Sequence, residues 1–275
     1  MRRVFQVLSL AIGAALVGLV VVLAIVSAFW QPFDPTHVDA AHRLLAPGWP
    51  HLMGTDGLGQ DIFSRILVGA RVCLQVGVIA VFIGALVGVP VGIVAAASPG
   101  WGGRLLMRGA DIVYAFPALL LAILLAAARG GGSIVTSMTA IGIASIPAFA
   151  RLARSAALQV LSQDYILAAR VAGTPSWRIA VTHVLPNIAP VVLVQASVSF
   201  GLAILAEAAL SYLGLSAPAT TPTWGRMLYD AQQYLFSNPN LAFWPGLFIA
   251  LAVLGFNLLG DGLRDVVDPT LQEVR

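Results

Sequence analysis

Residues 151–187, RLARSAALQVLSQDYILAARVAGTPSWRIAVTHVLPN, form a polar-containing stretch between strongly apolar runs. The punctuation inside it predicts two short helices. Gly173 suits the left-handed backbone that follows a helix C-terminus, because it has no Cβ to clash there. Thr174 is then expected to cap a second helix, with Pro175 at its first position, where a missing N–H is not needed. Pro186 is expected to end that helix, since a proline pushes the residue before it out of helical geometry. A helix–Gly–helix unit carrying Arg170, Arg178 and His183 fits either a knob for a soluble partner or an amphipathic loop on lipid headgroups.

With 59% hydrophobic and 10% charged residues, the chain is too apolar for a soluble domain. All fifteen basic residues are arginine, so a phosphate-binding loop with its lysine is excluded. The arginines are dispersed, which argues against a nucleic-acid surface. Cys73 stands alone, leaving no disulfide framework and no cysteine metal site.

The chain predicts six spans in an all-α, polytopic membrane fold. Residues 5–30 follow Met1-Arg2-Arg3 and match the roughly 20 residues that cross a bilayer, more than a signal-peptide core of about 7–15. Val26-Ser27-Ala28 resembles a cleavage site, but the length favours a retained helix. Residues 31–71 form a Pro- and Gly-rich outer loop, and the remaining spans are expected at 72–97, 112–128, 133–150, 188–210 and 243–259. This divides the chain into a first helix with its loop (1–71) and a five-span core (72–275). Gly84, Gly88 and Gly92 recur every fourth residue and make a smooth stripe for a helix within the chain or on another subunit. Thr136, Ser137, Thr139 and Ser145 interrupt the fourth span. Their hydroxyls suit either bonds to preceding carbonyls or the lining of a wet path. Glu207 is the acid of the fifth span, and no second acid, His or Lys lies in the spans to relay a proton. A hydrogen-bonded structural contact near the outer end is therefore expected of it. In the outer loop, Asp56 and Asp61 lack the alternating acids and closing glutamate of a calcium loop, so turn chemistry is expected there.

Arginine bias sets the orientation. With the N-terminus inside, arginines 2, 3, 104, 108, 151, 154, 170, 178, 264 and 275 are cytoplasmic and 43, 65, 71, 129 and 226 are outside. Ten against five puts residues 151–187 in the cytoplasm with both termini.

Ala168-Ala169, then Gly173, then Leu185-Pro186 resemble the EAA signature of permeases from ATP-binding-cassette importers. The acidic position of that signature falls at Leu167, so any ion pair it carries elsewhere is missing here. His51-Leu52-Met53-Gly54-Thr55-Asp56-Gly57-Leu58-Gly59-Gln60-Asp61 with Ser64-Arg65 and Gly69-Ala70-Arg71 resembles the loop before the second helix of dipeptide, oligopeptide and nickel permeases. Ser211-Tyr212-Leu213-Gly214-Leu215, Pro222-Thr223-Trp224-Gly225-Arg226-Met227, Gly260-Asp261-Gly262 and Asp268-Pro269 extend the likeness, which is nearest the second permease subunit of that group. The resemblance implies a multi-pass bacterial inner-membrane permease that is not itself an enzyme. It implies four kinds of partner: a second homologous permease, two cytoplasmic ATPases that hold ATP and Mg, an extracytoplasmic binding protein, and membrane lipid. It also implies an ATPase-coupling role for Leu167, Ala168, Ala169, Arg170, Gly173, Thr174, Leu185 and Pro186. The cargo it implies is a dipeptide or oligopeptide, with nickel or a metal chelate as the alternative. An ion-coupled transporter would need inverted repeats and clustered intramembrane charge. An intramembrane hydrolase would need a motif such as H-E-x-x-H or G-x-S-x-G, and neither occurs.

Overall fold

The computed structural model describes residues 2–98, 100–218 and 220–267. Ten α-helices run through them: α1 Arg2–Phe29, α2 Ile62–Ala97, α3 Trp101–Ala115, α4 Ala118–Ala128, α5 Ile134–Leu161, α6 Asp164–Val171, α7 Ser176–Ile179, α8 Leu185–Tyr212, α9 Trp224–Ala231 and α10 Asn240–Val267. Pairing between strands is confined, among the described residues, to one isolated bridge between Thr55 and Asp61. Intrasegment hydrogen bonding of this kind is what a lipid environment demands of a spanning chain. The Asp268-Pro269 tail lies outside the described residues.

Five stretches are long and apolar enough to cross a membrane: Leu8–Phe29, α2, α5, α10 and the continuous helix Ser176–Tyr212. A sixth crossing exists only if α3 and α4 are taken as one span, and they meet at an 81° bend. The span expected at 112–128 is therefore found as α4, with the helix before it broken at Phe116. Phe116 takes an extended conformation (φ −88°, ψ 117°), as the residue before Pro117 must, and the helix breaks there.

Three further boundaries move. α2 begins at Ile62, so 64–71 belong to the helix and the division at 71/72 falls inside it. Asp61 sets that start, its carboxylate accepting the Ser64 amide at 2.8 Å. α5 continues through Arg151 to Leu161, so the polar stretch begins as the end of a span. Pro186 does not stop the helix before it. A π turn at Ala180–Val184 carries the chain through, with the Leu185 amide bonded to the Ala180 carbonyl five residues back. This wider turn makes room for the proline ring, which would clash in a regular α-helix.

The centre of the bundle is the contact of α2 with α5. A Cβ at Gly88 would stand 2.6 Å from the Ile146 carbonyl oxygen, and one at Gly92 would be 2.8 Å from the Ala153 Cβ. The glycine stripe is thus consumed inside the chain, and the reading as an internal helix contact holds. α10 packs on α1 and α8, with Phe200 and Phe256 stacked at 3.9 Å between centroids.

Replacing Gly88 by Val should prevent the α2–α5 approach, because the atoms in the way are backbone and cannot swing aside. Thermal unfolding of the purified permease should shift down by many degrees, or assembly should fail. Gly109→Ala meets no atom within 4 Å and should be neutral or raise stability by up to about 1 kcal/mol. Equal melting of Gly88→Val and wild type would refute the seam.

Candidate functional site

Two built sites stand at opposite ends of the bundle. At the end where α5 and α8 meet, α6 and α7 form a hairpin. Gln163 is extended at the head of α6, and Asp164 in the first turn complements the helix dipole. At its other end, Gly173 has φ +80°. The Gly173 amide bonds the Arg170 carbonyl at 3.0 Å, and the Thr174 amide bonds the Ala169 carbonyl at 3.0 Å. This pair of bonds is the Schellman motif, which closes a helix and reverses the chain. Thr174 is not the cap of the second helix, as had been expected. The carbonyl of Pro175 receives the Arg178 and Ile179 amides instead, because Pro175 itself remains extended (ψ 147°).

Buried apolar residues hold the hairpin to the bundle. Ile166, Ile179, Val184 and Ile188 pack with Val89, Ile93, Phe149, Ala153 and Ala157 at the ends of α2 and α5. The crest is left uncovered: Val171 is 91% exposed and Trp177 70%, and Leu167, Ala168, Arg170, Gly173, Leu185 and Pro186 are also exposed. Ala169 and Thr174 are half-buried. A groove of about 310 Å³ runs beneath, lined by Ile93, Ala97, Leu161, Arg170, Ser176 and Ile179 among others. Eight of the residues singled out from sequence are therefore gathered on one hairpin and the helix start that follows it.

The four hydroxyls of α5 are differently placed. Thr136 and Ser137 are buried within the chain. Thr139 donates to the Val135 and Thr136 carbonyls at 3.0 and 2.9 Å. Ser145 donates to the Gly142 carbonyl at 2.7 Å and faces Gly84. Bonding to nearby carbonyls is thus what Thr139 and Ser145 do here.

The opposite end is a polar knot that the sequence motif describes without explaining. Asp61 caps α2, accepts from the Ser64 hydroxyl at 2.7 Å, and meets His51 at 2.9 Å. Asp56 accepts the Leu58 and Gln60 amides and pairs with Arg65, whose guanidinium also reaches Asp230 of α9 at 3.3 Å. Thr55 accepts the Leu45 amide and donates to the His42 carbonyl. At the loop's exposed edge, bonds from the His42 ring and the Ala41 amide hold the Asp39 carboxyl below its ordinary range. The expected turn chemistry holds for Asp56 and the amides just after it, whereas Asp61 caps a helix and both carboxylates also bind side chains.

Glu207 anchors the segment that leads into α9. It is buried and accepts from the Ser211 hydroxyl at 2.8 Å; Thr223 donates to Ser211 at 2.8 Å and caps α9 by accepting the Arg226 amide. Trp224, next in sequence, is buried, and its indole N–H donates to the Ile66 carbonyl at 3.1 Å. The structural role expected for Glu207 is the one seen. The pairing of Arg65 with Asp230, 165 residues apart, had no signal in the sequence beyond an arginine inside a motif.

Residues 88–273 match the family described as "Binding-protein-dependent transport system inner membrane component". The chain belongs to this family. It is 42% identical over 264 residues to the glutathione transport system permease protein GsiD of Pectobacterium atrosepticum, covering 94% of this chain and 87% of that one. It is 41% identical over 263 residues to the dipeptide transport system permease protein DppC of Alkalihalophilus pseudofirmus, covering 94% and 86%. Its fold resembles the methionine ABC transporter MetNI in inward-facing form, with a TM-score of 0.62 at 18% identity over 74% of this chain and 96% of that one. The protein is thus a permease subunit of an ABC-type importer of the inner membrane, a class that works with a substrate-binding protein and ATPase subunits.

Replacing Arg65 by Met removes the cation between Asp56 and Asp230. The cost should be about 3–5 kcal/mol, as for a broken buried pair. It should be read as a lowered melting temperature and faster proteolysis within residues 31–61. Arg226→Gln, whose pair with Asp230 is partly solvated, should cost less than about 1 kcal/mol. Equal effects of the two would show that Arg65 does not organise the knot.

Proposed function

We propose that this permease imports short peptides, the chemical class shared by glutathione and dipeptides in the names of its relatives. It does so in a pair with a second, homologous permease, and substrate passes between the two. The hairpin α6–Gly173–α7 is the coupling element, and ATP with Mg is bound and hydrolysed on the partner ATPases. Both termini, the hairpin and the end of α5 lie in the cytoplasm; residues 31–61 and α9 lie outside. Leu167, Ala168, Arg170, Leu185 and Pro186 meet the ATPase, with Ala169, Gly173 and Thr174 fixing the angle of the hairpin. Among the α5 hydroxyls, Thr139, the least enclosed near the outer end, is the foremost candidate to line the path, before Thr136, Ser137 and Ser145.

The observation that carries the coupling role is the division of the hairpin into anchor and crest. Ile166 and Ile179 are buried in the bundle while Val171 and Trp177 stand in the open. An exposed apolar crest on a rigid, anchored support is what a moving partner can pull. The apolar side chain of Leu167 makes this contact a packing contact where the family signature has an acid. Nucleotide-driven closure then favours one arrangement of the permease pair and substrate delivery the other.

The orientation is tested with single cysteines at Trp49, 91% exposed, and Ser162, in a Cys73→Ala background. An impermeant reagent should label them from opposite sides; labelling from one side overturns the topology. The coupling role is tested with Gly173→Val. A Cβ there meets nothing within 4 Å, so the whole effect is backbone strain of about 1–2 kcal/mol. Assembly should survive while uptake and substrate-stimulated ATP hydrolysis fall together, by about ten-fold. Gly130→Val imposes the same strain at φ +76° in an open turn at the other end and should spare both. Wild-type transport by Gly173→Val would reject the hairpin as coupling element. Intact peptide uptake after deletion of the chain, with nickel uptake lost, would reverse the cargo.

A further inference from the structure

The helix α3 carries three faces at once. At about 100° per residue, Gly103, Met107 and Ala110 fall together, and these are its buried residues, packed with Ala95 of α2 and Ala150 of α5. Trp101, Leu105 and Ile112 share a second face and are exposed by 82%, 73% and 64%. Arg104 and Arg108 lie between these two faces. Neither is paired with a carboxylate among the described residues. Arg104 instead donates to the Gly100 carbonyl at 3.1 Å and sits 4.8 Å above the Trp101 ring.

The course of α3 is that of neither a straight span nor a solvated loop. Near its start, a Cβ at Gly103 would stand 2.6 Å from the Ser98 carbonyl oxygen, beyond the last residue of α2. Near its end, Tyr114 lies under the Arg151 guanidinium at 4.0 Å, and Asp111 meets the same group at 3.6 Å. Arg151 follows Ala150, whose carbonyl faces Gly92. Between these contacts α3 advances about eleven residues, roughly 16 Å, while rising about six residues of α2, roughly 9 Å, and then turns by 81° into α4. It runs obliquely, with its start at the depth where α2 ends.

We propose that α3 is an interfacial helix that binds anionic phospholipid of the adjacent leaflet. Trp101, Leu105 and Ile112 enter the acyl boundary, and Arg104 and Arg108 take the headgroup phosphates. The charge complementarity is direct: two arginines without acidic partners border an exposed apolar face. Trp101 supplies the amphipathic ring that favours this depth. The contacts of Asp111 and Tyr114 with Arg151 join the lipid-facing helix to α5, which leads into the α6–α7 hairpin. The orientation proposed above enters only in naming this leaflet cytoplasmic.

The test uses the permease assembled with its transporter partners, in nanodiscs of phosphatidylcholine with a minor fraction of phosphatidylglycerol. Lipid retained after mild detergent extraction is measured by mass spectrometry. Wild type should retain phosphatidylglycerol preferentially, and Arg104→Gln/Arg108→Gln should lower that preference by roughly ten-fold or more. Arg104→Lys/Arg108→Lys should restore most of it, since charge rather than fork geometry attracts a fluid headgroup. A nitroxide on Leu105→Cys should be relaxed by oxygen and shielded from an aqueous nickel chelate. An unchanged lipid ratio in the glutamine variant overturns the proposal. So does a nitroxide open to the chelate, or a cross-link from that position to a neighbouring subunit, which would make the face a protein interface. Sidedness of labelling at Trp49 and Ser162 is read separately, so a failure of the orientation is not confused with a failure of lipid binding.

Discussion

The close approach of α2 to α5 is the contact on which the rest depends. In lipid, apolar surface gains nothing by leaving its surroundings, so helices must associate through fit. Gly84, Gly88 and Gly92 supply that fit by letting the Ile146 and Ala150 carbonyls and the Phe149 side chain into space a Cβ would occupy. At one end the same pair of helices offers Val89, Ile93, Phe149 and Ala157 as the bed for the hairpin. Just above this bed, Ala95 and Ala150 receive α3. A looser α2–α5 contact would leave the hairpin and α3 each without a floor.

The two ends of the bundle are held by different chemistry. The end that carries residues 31–61 and α9 is fixed by directional bonds: Arg65 between Asp56 and Asp230, Glu207 through Ser211 to Thr223, and the Trp224 indole on the Ile66 carbonyl. Bonds of this kind set one geometry and resist sliding, because each partner left alone in a buried place is costly. The hairpin end relies on apolar packing and one backbone reversal at Gly173. Packing tolerates small rigid-body shifts, and a hairpin closed by main-chain bonds moves as one piece. A stiff frame at one end and a docked hairpin at the other is an arrangement compatible with a permease that alternates between two states.

Much of this was legible in the residues because it depends on local rules. Composition alone required a membrane protein, since a chain so apolar has no soluble solution. Gly173 announced its left-handed turn, because that effect acts within a few residues. The glycine stripe identified a close helix contact but not its partner. The two prolines act in opposite senses. Pro117 breaks the helix before it, whereas Pro186, expected to end a helix, is absorbed by a π turn. The same residue type gives different outcomes because the cost of a missing N–H depends on whether neighbouring turns can rearrange to meet it.

What the sequence by itself determined was therefore the class, the approximate place of each apolar span though not its ends, the helix–Gly–helix shape and the family. Only the tertiary structure decided that Arg65 reaches across 165 residues to Asp230 and which partners, Ser211 and through it Thr223, Glu207 takes. The same holds for Thr136 and Ser137, which are enclosed within the chain, and for α3, which meets α4 at an 81° bend instead of continuing it. Each of these rests on partners distant in the chain. Periodicity and caps report only the few residues around a position, and which distant surfaces meet follows from the packing of whole helices.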